Sequence, residues 1–250
     1  MCRLLGVVAR EPLPLSELLA DDLGPFFTMA CEHADGWGVA SVTPERTIAA
    51  VKEPVRADVS PRLRRVVREL TTDSALLHIR MASPQSPVIP GNTHPFGDQR
   101  IAFAHNGDFT PVDCLDSMIG EEALATAEGG TDSERFSLGI RLRMDSGMEA
   151  QKAIMSTVAD IRSLARSSAS LNCMLLTPDA LYAYAAHDPH SDVIHRRGPA
   201  FFALKYRVRT DAVVVASTGW PQDPPAWTTL PEGHVLEIRR DGLSTVVHAG

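Results

Sequence analysis

Apolar side chains open the chain almost without interruption: Leu4, Leu5, Val7 and Val8 follow Cys2 too densely for a surface strand, and residues 2–9 read as a buried one. Pro12 and Pro14 are expected to end that strand before a helical stretch at about 16–23. Gly36 and Gly38 bracket Trp37 and lead into a short strand, and glycines so close together predict a sharp turn or a close approach to another segment. Ser60-Pro61 has the form of an N-cap followed by proline at the first helical position. Leu63, Val66, Val67 and Leu70 form the apolar face of the helix that follows. Strands are predicted at 75–82 and 101–104, the second stopping at His105-Asn106-Gly107, and helices at 132–143 and 147–167. The last third turns to strands at 171–176, 180–186, 200–208, 212–216 and 235–239, with Thr177-Pro178-Asp179 and Asp241-Gly242 as hairpin turns. Strands at both ends with helices between them indicate an α+β protein.

Composition narrows the function classes. A chain of 250 residues, 44% hydrophobic, can bury a substantial core, and residues 2–250 are read as a single domain. A net charge of −7 with dispersed arginines argues against nucleic-acid binding, since the one basic cluster (Arg62, Arg64, Arg65, Arg68) fits a solvated helix face. No apolar run is long enough to span a bilayer, and the four widely separated cysteines suit reduced thiols, so a cytoplasmic setting is expected. His187, His190 and His195 lie near Asp188 and Asp192 in what reads as a loop. Their spacing matches no established zinc pattern, and neither a metal nor another cofactor is expected.

Cys2 changes the picture most. It stands directly behind Met1, and a small second residue favours trimming, which would leave a thiol and a free α-amine on one residue. The thiolate attacks, and the amine, with an ordinary pKa of roughly 8, takes its proton at neutral pH. The alternative is a small apolar residue packed beside Leu4, Leu5 and Val7. Three further segments carry polar groups. Strand alternation puts His78, Arg80 and Ala82 on one face, and a buried Arg80 needs either a ligand carboxylate or a structural acid. Asn106-Gly107 is a hairpin signal, and it also presents a side-chain amide beside a backbone N–H, as an oxyanion hole requires. Asp132 reads either as a helix cap or as a receiver for a ligand ammonium group.

The order of these segments is more specific than any one of them. Cys2, H-x-R-x-A-S at 78–83, T-H-P-F at 93–96, H-N-G at 105–107 and G-T-D-S-E at 130–134 together resemble the class II glutamine amidotransferases of the N-terminal-nucleophile hydrolase superfamily. The H-A-D-G-W-G segment, the late strands and Trp227-Thr-Thr-Leu-Pro-Glu-Gly resemble the short stand-alone members, including the ergothioneine-pathway γ-glutamyl amidases. The resemblance implies a four-layer αββα sandwich of two antiparallel sheets. It implies Cys2 as nucleophile with its own amine as base, and Asn106 with Gly107 as the oxyanion hole. Arg80, helped by Ser83, would grip the substrate α-carboxylate and Asp132 its α-amino group. His94 joins the substrate-binding set as a supporting group, with His105 behind it, and neither serves as acid or base. The small-molecule substrate is then a γ-glutamyl amide, cleaved through a γ-glutamyl thioester.

Three departures bear on the pocket: Met81 stands where many relatives have an aromatic residue, Ser83 where many have threonine, and Thr218-Gly219-Trp220 where the stand-alone relatives lead one to expect an acid. No synthase domain is expected within the chain. Simple cleavage to glutamate and an amine is the preferred reading. Alternatives are a glutaminase subunit feeding ammonia to a separate synthase partner, an acylase of the same superfamily acting on another amide, and a silent regulatory subunit. A homo-oligomer is compatible with each.

Overall fold

A computed structural model describes residues 2–83 and 86–249. Its strands are β1 (Arg3–Pro14), β2 (Trp37–Val42), β3 (Ile48–Glu53), β4 (Thr71–Ile79), β5 (Phe96–Gly97), β6 (Ala102–Thr110), β7 (Ser167–Leu176), β8 (Ala180–Ala185), β9 (Leu204–Val208), β10 (Ala212–Ser217), β11 (Thr228–Thr229), β12 (His234–Arg239) and β13 (Thr245–His248). The helices are α1 (Leu15–Leu18), α2 (Ala20–Thr28), α3 (Pro61–Glu69), α4 (Asp116–Ile119), α5 (Glu121–Leu124), α6 (Asp132–Asp145), α7 (Ala150–Leu164) and α8 (Asp192–Arg197). One sheet runs β11, β9, β10, β1, β4, β2, β3 and the other β13, β12, β8, β7, β6, β5. Neighbours in both sheets pair antiparallel.

The period-two alternation of strands sorts the buried side chains into three layers. Leu4 and Val8 of β1 meet Leu76, Ala104, Met174, Leu181 and Leu236 between the sheets. Leu5, Val7 and Leu77 point the other way, onto Leu18, Phe26 and Leu63 of α1, α2 and α3. On the far side, Phe103 and Leu175 pack beneath Phe136, Ile154, Val158 and Ile161 of α6 and α7. The order helix, sheet, sheet, helix is the αββα sandwich.

The capping reading of Ser60 holds: its Oγ accepts a hydrogen bond from Leu63 N–H at 3.1 Å, with Pro61 first in α3. The four arginines near that helix are exposed. Gly38 does carry a close approach, since a Cβ there would lie 2.0 Å from the His94 carbonyl oxygen and 2.7 Å from Pro95.

Several boundaries differ from expectation. Pro12 and Pro14 do not end β1. The register shifts between Val8 and Leu13, the strand continues along its exposed end, and Pro14 lies opposite Thr71, a placement where a missing N–H is tolerated. The helical stretch beyond it divides into α1 and α2. Strand β4 starts and stops earlier than 75–82, leaving Arg80 just past its end. Strand β9 begins at Leu204, and the segment before it contains α8, where a loop was expected. No helix among the described residues is long and apolar enough to cross a membrane.

Candidate active site

The register of β1 against β4 fixes what stands opposite the amino-terminal thiol. Arg3 pairs with Ile79 and Leu4 with His78, so the same antiparallel register sets Cys2 across from Arg80. Alternation from Leu4, Leu76 and Ala104, which face the interlayer core, turns Cys2, His78 and Asn106 to the space between the sheets. Cys2 is 7% exposed, its Sγ 3.7 Å from the Met81 carbonyl oxygen. Met1 lies outside the described residues. A cavity of about 310 Å³ lined by Lys52, Phe96, Glu128 and Arg141 touches none of the expected site residues, so the site is marked by its polar groups and not by the available room.

Burial pushes the Cys2 thiol above its ordinary range. The Met81 contact and the Arg80 charge oppose the rise, while Asp132 adds to it. A raised thiol pKa means a smaller thiolate fraction at neutral pH, tenfold smaller for each unit. A chain carrying extra residues ahead of Cys2 has no α-amine on that residue to assist. Its alkylation by iodoacetamide at Cys2, mapped by peptide mass analysis, is therefore expected to be slower at pH 7 than that of a free cysteine and to climb as pH rises past 9. Equal rates at pH 7 would contradict the burial effect.

Arg80 is buried, and its guanidinium donates to Ser86 Oγ at 2.8 Å and to the Pro87 carbonyl at 3.3 Å. No carboxylate lies within 4.0 Å of it among the described residues, so the structural-acid alternative is not what the fold provides. Burial lowers its pKa against the opposing charges of Cys2 and Asp35. Asp35 belongs to this corner: its Oδ2 accepts from Ala82 N–H at 2.8 Å, and its backbone N–H donates to the Arg80 carbonyl at 2.9 Å. Ser83, expected to help Arg80, is exposed, and its carbonyl receives the Ser86 N–H at 3.0 Å. The hydroxyl that Arg80 meets within the protein is that of Ser86, which no motif singled out.

Asn106 and Gly107 do not form a hairpin turn. They lie inside β6, opposite Asn172 and Leu171 of β7, and the strand expected to stop at His105 runs on to Thr110. Gly107 is demanded by packing, because a Cβ there would sit 1.7 Å from the Ser170 carbonyl oxygen. Gly107→Ala should therefore force β6 and β7 apart, costing about 1–3 kcal/mol or more as overpacking does, read as a lower midpoint in thermal unfolding. An unchanged midpoint would refute that packing constraint. Asn106 is fully buried, and neither Oδ1 nor Nδ2 has a hydrogen-bond partner. Unpaired buried polar groups cost about 1–3 kcal/mol each, so this amide is stored unsatisfied.

Asp132 is the first residue of α6, not its cap. Thr131 caps the helix, its Oγ1 accepting from Glu134 N–H at 3.1 Å. The Asp132 carboxylate accepts from Phe109 N–H at 3.0 Å and has no cation within 4.0 Å among the described residues. Burial raises its pKa, with His105 pulling it down. His105 points away from the interlayer space: Nε2–H donates to the Ser170 carbonyl at 3.0 Å, leaving Nδ1 to accept from the Ser133 hydroxyl at 2.9 Å. His94 stacks on His78 with ring centres 4.0 Å apart and meets Phe96 edge-on at 4.6 Å. Burial drives both His78 and His94 well below the ordinary histidine pKa, so both rings are neutral at physiological pH.

The departure at 218–220 has a structural role. The Thr218 hydroxyl donates to the Ala200 carbonyl at 2.9 Å, and the Trp220 ring packs on Phe26 and Trp227 in the helical layer, away from Cys2. The histidines near 190 scatter: His187 pairs with Glu232 at 2.8 Å, and His195 lies on α8. All four cysteines are free.

Comparison with known proteins places these features. The sequence profile described as glutamine amidotransferases class-II matches residues 1–249. The γ-glutamyl-hercynylcysteine sulfoxide hydrolase of Mycolicibacterium smegmatis is 24% identical over 209 residues, covering 83% of this chain and 78% of that protein. Among solved structures, a glutamine aminotransferase class-II domain protein from Silicibacter pomeroyi superposes with a TM-score of 0.70 at 20% identity, covering 99% of both chains. The glutamine phosphoribosylpyrophosphate amidotransferase of Bacillus subtilis superposes at 0.63 and 17% identity, covering 99% of this chain and 49% of that one.

Proposed function

The chain belongs to the class II glutamine amidotransferases, and on that premise we propose that it hydrolyses a γ-glutamyl amide to glutamate and an amine, with Cys2 as nucleophile. One observation carries the reading: around the Cys2 thiol stand a buried guanidinium, Arg80, and a carboxylate, Asp132, neither paired with an opposite charge among the described residues. An amino-acid head group offers both missing charges, its α-carboxylate to Arg80 and its α-ammonium to Asp132. Gripped there, it presents its side-chain amide to the sulfur.

Removal of Met1 would free the Cys2 amine. That amine takes the thiol proton as sulfur adds to the amide carbon, and Asn106 Nδ2–H with Gly107 N–H receives the oxyanion. Collapse breaks the C–N bond, the proton passes to the leaving amine, and a γ-glutamyl thioester remains. Water then adds with the same amine as base, releasing glutamate and the thiol. Ser86 and Asp35 hold Arg80 in place, and His94 supports the thiol from behind. A released amine fits the γ-glutamyl hydrolase among the relatives, and the free cysteines suit a cytoplasmic setting.

The test of the charge pair is substrate-specific. Arg80→Gln should raise KM for substrates with a free α-carboxylate by at least about 30-fold, since truncating one partner of a buried charge pair costs roughly 2–5 kcal/mol. Amides lacking that carboxylate should be cleaved no worse than before. Equal loss on both would refute the role of Arg80. One observation favours a second reading, in which ammonia passes to a separate synthase partner: this fold spans only 49% of the Bacillus amidotransferase, joined there to further sequence. Glutamine cleaved much faster than any substituted amide would favour that second reading.

A further inference from the structure

We propose that Cys2, His78 and His94 form a site for divalent zinc that silences the nucleophile when it is filled. One donor atom from each residue lies within 4.8 Å of the others, all three residues are buried, and this is the one such group of three among the described residues. The donors come from three places that the fold brings together. Cys2 is the residue ahead of β1, and His78 lies opposite Leu4 near the end of β4. His94 belongs to the segment whose carbonyl abuts Gly38 of β2.

The His94 ring makes no hydrogen bond among the described residues: the residue is 4% exposed, and neither of its ring nitrogens has a partner. Its neighbours are the His78 ring on one face and the Phe96 ring at its edge. A ring serving only as apolar filler would be better replaced by a hydrocarbon. Two neutral imidazoles beside a thiol are instead the mixed nitrogen and sulfur donor set that suits zinc, whereas magnesium and calcium require oxygen. Zinc–sulfur bonds of roughly 2.3 Å and zinc–nitrogen bonds of roughly 2.0–2.1 Å put tetrahedral donors ~3.4–3.6 Å apart, so on binding the three atoms close by about 1 Å and the stacked His78 and His94 rings turn to converge their in-plane lone pairs on the ion. Arg80 nearby disfavours a cation, and the thiolate charge created on binding offsets it.

Binding is a ligand exchange without redox change: the zinc–sulfur bond forms, the thiol S–H bond breaks, and the proton goes to solvent. The fourth position is open to water or to the Cys2 amine, which would close a five-membered chelate with Sγ once Met1 is removed. The sulfur lone pair needed for attack is then committed to the metal. Inhibition rests on Cys2 being the nucleophile, as proposed above, but binding does not.

The experiment uses the full chain, with removal of Met1 checked by mass, titrated with zinc chloride against a chelating dye and with cobalt(II) chloride by absorbance. One equivalent of zinc is expected, together with a near-ultraviolet sulfur-to-cobalt charge-transfer band that is absent in Cys2→Ala. His94→Gln should weaken zinc binding at least about tenfold, since it removes one of the three donors where loss of a mere supporting contact already costs about 10–100-fold. Should His94→Gln misfold by circular dichroism, carbamidomethylation of Cys2 in the native chain supplies the same comparison and should abolish the cobalt band. No zinc uptake, or uptake and a cobalt spectrum unaltered in Cys2→Ala, would overturn the site. Zinc held through Cys2 in a chain that cleaves no γ-glutamyl amide would support the site while removing the amidase reading. Amide cleavage unaffected by stoichiometric zinc would overturn the silencing.

Discussion

Cys2→Ala is expected to lower hydrolysis of γ-glutamyl amides by on the order of 10⁴-fold or more, the scale on which removal of a covalent nucleophile acts, with the fold intact. The change removes one sulfur atom from a buried site at a strand entrance, so circular dichroism and the thermal midpoint should stay close to those of the parent. Arg80 and Asp132, the proposed binding half of the site, are untouched. The variant should therefore still bind glutamate or a slowly cleaved amide with near-parental affinity by calorimetry. A residual rate within tenfold of the parent would remove Cys2 from the mechanism. Loss of binding together with activity would show that the thiol is structural.

Asn106→Ala should act on the rate and not on binding. Removing one oxyanion donor typically costs 10²–10³ in kcat, and a similar fall is expected here with KM little changed. Stability supplies the control. Since both polar atoms of this buried amide lack partners, deleting them relieves an unsatisfied group, and the thermal midpoint should hold or rise. A fall in kcat below tenfold, or a drop in stability large enough to explain it, would contradict an oxyanion role.

These residues were legible to different degrees, for physical reasons. Hydrophobic density made β1 readable, and alternation placed His78 and Arg80 on one face, because both signals are local. The Ser60 cap was equally local. Asn106-Gly107 was ambiguous because the dipeptide suits a hairpin turn, whereas what requires glycine at 107 is the Ser170 carbonyl, 63 positions further along the chain. Thr131 and Asp132 are both good capping residues, and only the helix geometry assigns the cap to Thr131 and leaves Asp132 free of that role. Ser86 was not legible at all, and Asp35 was legible only as part of the H-A-D-G-W-G segment, without its role. Each reaches the Arg80 corner through loop geometry, and neither sits in a pattern that names its role. The short strands β5, β11 and β13 carried too few alternating positions to be distinguished from loops, and β3, though six residues long, buries only Ile48 fully and shows no apolar alternation.

The central claim is that a free amino-terminal Cys2 attacks the side-chain carbonyl of a bound glutamyl group. Intact-mass and peptide-mass analysis after treatment with a glutamine-like electrophile tests it most directly, with excess glutamate as competitor. The exposed Cys31 and half-buried Cys114 provide internal controls for non-specific alkylation. The account predicts a chain that begins at Cys2, carries one adduct on that residue, and is protected from it by glutamate. Retention of Met1, or an adduct confined to Cys31 or Cys114 and indifferent to glutamate, would contradict it.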